Sequence, residues 1–196
     1  KGKKRNLPQQ NSDNEVNILR AELMIVGTEL LLGEIVDTNA TFLARNLADL
    51  GIDVYYKSTV GDNLGRVQEA LSLALSRSDL VLISGGLGPT DDDLTREAVG
   101  LVMESPLEED GDVLKELKTW FADRYGSGYQ MPIHNRKQAL FPRESVILPN
   151  LVGTAPGFWL EGNGKIVVAL PGVSHELKIM FTRIVAPRLM QRSSGE

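Results

Sequence analysis

The sequence predicts an α/β protein, a mostly parallel sheet covered by helices on both faces, as in doubly wound and related three-layer architectures. Two observations carry this. Short, continuous apolar runs at residues 23–26 and 80–83 have the composition of buried strands, and residues 52–60 read as a further strand between them. Between them lie segments whose apolar residues recur at three- and four-residue spacing, which is the period of a helix resting on a sheet.

Taken in order, residues 23–26 (Leu-Met-Ile-Val) read as a buried strand that stops at Gly27. Asp37, Thr38 and Asn39 can cap a helix carrying Phe42, Leu43, Leu47 and Leu50 on one face, with Gly51 as its stop. A second strand at 52–60 leads into a helix over 63–76, with Val67, Ala70, Leu71 and Ala74 inward, and the third strand follows at 80–83. Residues 94–103 and 113–125 read as helices joined by a solvated acidic connection, Glu108-Glu109-Asp110. A short helix is expected after Asn135, within a small irregular insertion over about 125–160. Residues 157–160 and 165–170 flank Gly162-Asn163-Gly164, the signature of a hairpin, with Trp159 either in the core or at a dimer surface. A last helix over 174–191 should be kinked by Pro187. Residues 21–192 are thus expected to form one domain behind a flexible polar extension over residues 1–20.

Composition narrows the function. A net charge of −5 provides no general attraction for nucleic acid, so an anionic ligand must be held by a local site. The chain has no cysteine, which excludes disulfides, thiolate nucleophiles and sulfur-ligated zinc. The basic start at residues 1–5 lacks the apolar stretch of an export signal, and nothing in the composition suggests a membrane protein, so a cytoplasmic location is the default expectation. His134 has no second histidine at metal-ligand spacing, which makes it a weak ligand candidate.

In an open α/β sheet, ligands gather beyond the carboxyl ends of the strands. The segments there are Gly27-Thr28-Glu29, Gly61-Asp62-Asn63 and, after the third strand, Ser84-Gly85-Gly86-Leu87-Gly88-Pro89-Thr90 followed by Asp91-Asp92-Asp93-Leu94-Thr95. Glycines at the end of a buried strand let backbone amides approach a phosphate. Three aspartates beside such a loop would repel a bare anion, and a divalent cation resolves the conflict; oxygen-only ligands suit Mg2+ or Mn2+. The alternative is a tight strand-to-helix turn with Asp92 or Asp93 as an ordinary helix cap.

Residues 85–95, Gly-Gly-Leu-Gly-Pro-Thr-Asp-Asp-Asp-Leu-Thr, resemble the signature of the N-terminal domain of the competence-damage-inducible (CinA) family, a branch of the molybdopterin-binding-like proteins that include MoaB and MogA. Four further stretches agree in order and spacing: Gly27-Thr28-Glu29-Leu30-Leu31-Leu32-Gly33, Thr38-Asn39, residues 150–157 (Asn-Leu-Val-Gly-Thr-Ala-Pro-Gly) and Leu170-Pro171-Gly172-Val173. The resemblance implies a three-layer α/β/α fold and metal-dependent cleavage of ADP-ribose to AMP and ribose 5-phosphate, with Mg2+, Mn2+ or Co2+. It implies Asp93 and Asp62 as catalytic and metal-holding residues, with Asp92 a weaker catalytic candidate. Substrate contacts are expected from Gly27, Thr28, Glu29, Asn39, Gly85, Gly86, Gly88, Pro89, Thr90, Thr95, Pro171, Gly172 and Glu176. Asn135-Arg136-Lys137-Gln138-Ala139 resembles the family's Asn-x-x-Gln-Ala segment, which adds Arg136 and Gln138; the basic pair would either offset substrate charge or pair with surface acids. The chain departs from the family at Ser174, where proline commonly follows Val173, and serine should serve as a helix cap there. A small-molecule nucleotide partner and a homodimer or trimer are expected. Rival readings are molybdopterin binding or adenylylation, action on FAD, and a non-catalytic nucleotide sensor.

Overall fold

In the computed structural model of the chain, residues 20–193 are described, so residues 1–19 of the extension expected over 1–20 lie outside them, while Arg20 belongs to the first strand. Eight strands and seven α-helices follow in order: β1 Arg20–Val26, α1 Thr28–Leu31, α2 Thr38–Asp49, β2 Asp53–Val60, α3 Leu64–Arg77, β3 Leu80–Ser84, α4 Thr95–Val102, β4 Leu107–Glu109, α5 Gly111–Tyr125, β5 Leu140–Pro142, β6 Val146–Leu148, β7 Gly157–Gly162, β8 Lys165–Leu170, α6 Ser174–Met180 and α7 Ala186–Ser193. A 3-10 segment, Ile133–Ala139, precedes β5, and a π-helical turn, Phe181–Val185, joins α6 to α7.

The main sheet has the order β2-β1-β3-β8-β7-β6; its first four strands are mutually parallel, and β7 and β6 extend it antiparallel. The central strands are buried on both faces, and the two-residue alternation of a strand divides their side chains between two cores. Met24, Val26, Val81, Ile83, Val167 and Ala169 pack under α3, α4 and α5. Leu23, Ile25, Leu80, Leu82, Ile166 and Val168 pack under α2 and the α6–α7 helix. That is the expected three-layer sandwich.

The caps explain where the helices begin. Asp37 accepts from the Ala40 amide at 2.9 Å, Asn63 from Arg66 and Asp110 from Val113, each filling an orphan donor of a first turn. Asn39, read as a possible cap, instead lies inside α2 and is buried. Ser174, expected to cap α6, does not: the N-cap is Val173. The Glu108-Glu109-Asp110 run is not a solvated connection: Glu108 and Glu109 lie in β4, paired antiparallel with β5, and Asp110 caps α5. The expected hairpin is β7–β8, turning through Asn163 and Gly164, both at positive φ as a two-residue primed turn requires. It is integrated into the sheet, with β8 beside β3 at the centre, and Trp159 is core, 1% exposed, with its indole N–H on Glu161 at 2.7 Å. Pro187 does interrupt the last helix: the lost N–H is accommodated by the wider π turn just before it.

Candidate active site at the carboxyl edge of the sheet

The parallel strands β1, β2, β3 and β8 end on one side, and the segments that follow them enclose an open cavity of about 580 Å³. Its wall combines Gly27 and Glu29 after β1, Asp62 after β2, residues 85–90 with Asp92 and Asp93 after β3, and Pro171, Gly172 and Glu176 after β8. Gln138 and Thr154 close it from the connecting segments.

The loop after β3 owes its path to two glycines. At Gly85, φ is +105° and a side chain would collide with the Val26 carbonyl; at Gly86, φ is +68° and a side chain would collide with Thr95 Oγ1. Thr95 is fully buried and is not part of the cavity wall; its hydroxyl donates to Gly85 O at 2.8 Å and its amide to Gly86 O, fastening α4 to the loop. Asp93 holds the remainder: it accepts from the Gly88 amide (2.8 Å), the Thr90 amide (2.9 Å) and the Thr90 hydroxyl (2.6 Å). Neither Asp92 nor Asp93 caps α4, whose N-cap is Leu94 without a side-chain bond. The Gly88 amide, expected to meet a phosphate, is therefore occupied by Asp93, whereas the amides of Gly86 and Leu87 make no hydrogen bond among the described residues.

Sequence reasoning missed Arg96. It is 1% exposed and lies behind the loop, donating to Leu87 O at 2.8 Å and Pro156 O at 3.1 Å, with its guanidinium 5.5 Å from the Phe141 ring centre. Burial lowers its pKa to about 10, against the opposing pull of Glu97 and Asp93. The available signal was a basic residue three positions before Val99 on the inward face of α4.

On the other wall, Asp62 is anchored through one oxygen: Oδ2 accepts from the Thr28 amide at 2.8 Å and the Thr28 hydroxyl at 2.7 Å, so Thr28 positions it rather than lining the cavity. Oδ1 of Asp62 is unengaged, and the carboxylates of Glu29 and Asp92 make no hydrogen bond. Glu176 accepts from Asn150 at 2.6 Å. Asn39 sits at the edge of the site, its amide donating to Ser84 Oγ at 3.0 Å and Gly172 O at 2.7 Å. Gln138 is buried and reaches Thr154 Oγ1 at 3.3 Å.

Arg136 is not brought to the cavity. It is exposed and forks onto Glu109, one arm at 2.9 Å, and this hydrogen-bonded pair lowers the Glu109 pKa below the usual carboxylate range. Lys137 pairs with Glu97 at 3.1 Å and donates to Thr90 O. The basic pair thus meets surface acids, and the cavity wall holds five carboxylates with no lysine or arginine. Among the described residues, no three acidic or histidine side chains are grouped so as to hold a metal by themselves.

The family model described as a probable molybdopterin binding domain matches residues 22–191. A CinA structure from Thermoplasma acidophilum, described there as of unknown function, superposes with a TM-score of 0.76 at 34% identity, covering 87% of this chain and 98% of that one. This chain belongs to the CinA family. Among similar proteins, a putative competence-damage inducible protein of Symbiobacterium thermophilum is 54% identical over 89% of this chain, and a CinA-like protein of Deinococcus radiodurans is 52% identical over 88%. The chain spans 41% and 43% of the length of those two relatives. The MoaB structure from Thermus thermophilus, at 18% identity and a TM-score of 0.57, covers 91% of this CinA-family chain and shares its fold. No helix among the described residues is long and apolar enough to cross a membrane.

Proposed function

We propose that the cavity binds ADP-ribose or a closely related nucleoside diphosphate and hydrolyses its pyrophosphate bond with the help of a divalent cation, releasing AMP and ribose 5-phosphate. The observation that carries this reading is a cavity in which Gly86 and Leu87, whose amides make no hydrogen bond in the fold, share the wall with five carboxylates and no basic side chain. Such a wall rejects a bare diphosphate; it accepts one that arrives with a divalent cation. The donor set fits the way Mg2+ or Mn2+ binds, since these ions use one or two carboxylates and complete their shell with water and substrate phosphates. It also explains why no all-protein ligand cluster is required.

Asp62, through Oδ1, and Glu29 are the residues that would hold the cation, because the fold leaves their oxygens unengaged. Once bound, the cation supplies neutralisation of the charge that develops on the phosphate oxygens. The amides of Gly86 and Leu87 contribute donors to the non-bridging oxygens. Asp92, exposed and unpartnered, takes the proton of the attacking water as the new P–O bond forms and the bridging P–O bond breaks. Asp93 is a positioning residue: its three hydrogen bonds shape the loop that presents the amides.

The family description favours a pterin as the competing ligand. Incubating the chain with ADP-ribose, FAD and a pterin, each with Mg2+, Mn2+ or Co2+ or with a chelator, separates the readings. Metal-dependent AMP release from ADP-ribose is the expected result. Tight pterin binding with no release of AMP would replace this proposal by the pterin reading.

A further inference from the structure

A second cavity, of about 470 Å³, opens between α5 and the segment that follows it, and it shares no lining residue with the first. Leu114, Lys118 and Ala122, four residues apart, present one stripe of α5 to it, and the rest of the wall includes Tyr129, Met131, Ile133 and Arg136. Leu114 and Met131 also pack against the core, so the apolar part of the wall is backed by the fold. Tyr129 is held in place as well: its amide donates to Gly126 O at 2.9 Å, and its ring lies 6.1 Å from that of Phe121 at 9° and 4.8 Å from that of Tyr125. The wall is thus preformed, yet Tyr129 is 43% and Ile133 78% exposed, apolar surface that only an occupant would cover. The volume lies in the range of cavities that take small organic molecules.

The charge of this cavity is the reverse of the first one's. In a chain of net charge −5, Lys118 and Arg136 line it and no carboxylate does. Both cations have donors to spare. Lys118 Nζ makes no hydrogen bond or ion pair among the described residues, and Arg136 uses Nε and Nη2 on Glu109, which leaves Nη1 without an acceptor. Glu109 also lies within electrostatic reach of Lys118, so the three side chains together carry a single surplus positive charge. One negative charge balances it; a dianion would not be matched.

We infer that this cavity is a binding site for a small apolar monocarboxylate, aryl or acyl, with its hydrocarbon against Leu114, Ala122, Tyr129 and Met131 and its carboxylate between Lys118 Nζ and Arg136 Nη1. Two carboxylate oxygens answer two charged donors, and the apolar body covers the ring and aliphatic surface that the fold leaves open. The inference does not depend on what the first cavity does.

The test is calorimetric binding of 2-naphthoate and of decanoate, the aryl and the acyl form, with 2-naphthylmethylamine as the ligand of similar ring and opposite charge. It uses the full chain and its Lys118→Glu, Lys118→Arg and Ala122→Phe variants. Submillimolar binding of one or both carboxylates, at least about tenfold tighter than the amine, is expected, and the tighter of the two identifies the hydrocarbon. Lys118→Glu should weaken that binding by about tenfold with the melting temperature unchanged, Lys118→Arg should keep it within about twofold, and Ala122→Phe, which fills the cavity, should also weaken it by about tenfold. Failure of both carboxylates to bind, equal binding of the amine, or binding indifferent to Lys118→Glu overturns the inference. Sedimentation of the same variants covers the other occupant: an oligomer that Lys118→Glu or Ala122→Phe dissociates would give this face to a second copy of the chain and overturn it too.

Discussion

Asp93 and Asp62 face the same cavity from opposite walls, and the fold treats them differently. Asp93 spends both oxygens on three donors of its own loop, whereas Asp62 is tied down through Oδ2 alone and keeps Oδ1 unengaged. The motifs bring both aspartates to one cavity, and the hydrogen-bond inventory separates the one whose oxygens are consumed by its own loop from the one that keeps an oxygen unengaged. The glycines beside them differ in the same way: the Gly88 amide is consumed, and the Gly86 amide remains available.

Substitutions can break this contrast. Asp93→Ala leaves two amides and a hydroxyl without an acceptor, so ADP-ribose turnover should vanish and urea unfolding should show a loss on the order of 2–4 kcal/mol. A variant with undiminished stability would show that the loop does not depend on Asp93. Asp62→Asn keeps an oxygen for Thr28 and removes only the charge, so turnover should fall by about 100-fold with the melting temperature unchanged. If Asp62→Asn and Asp93→Ala lose stability equally, the distinction between acting and building residues fails.

Arg96→Ala withdraws the brace behind the loop, leaving the Leu87 and Pro156 carbonyls unmatched and a void beside Phe141. A stability loss of roughly 2–4 kcal/mol and a fall in turnover of about tenfold are expected, read by calorimetry and by initial rates. Arg136→Ala should be the mildest change, with turnover within about twofold, because an exposed ion pair contributes little. A large effect there would return Arg136 to the substrate.

The fold was largely legible in the sequence because its signals are local. The apolar runs of β1 and β3, the Asn163-Gly164 turn and the spacing in α2 and α3 each encode an element by period or by turn geometry. Residues 104–142 were less legible: Glu108 and Glu109 read as a solvated run because their strand, β4, pairs with β5 some thirty residues on. In the site, the glycine loop, Asp62, Glu29 and Glu176 of the motifs all line one cavity. The motifs could not show how lone pairs and donors are allocated. Thr95 and Thr28 fasten their neighbours, Arg136 turns away to Glu109, and Arg96 is drawn inward, all through partners far along the chain.

The measurement that bears most directly on the account is AMP release from ADP-ribose by the unaltered chain, followed as Mg2+, Mn2+ or Co2+ is titrated in after treatment with a chelator. The account predicts no release in chelator and a saturable rise as the cation returns, because five carboxylates without a cationic side chain cannot otherwise admit a diphosphate. Release that proceeds equally well in chelator, or none at any cation concentration, would contradict it.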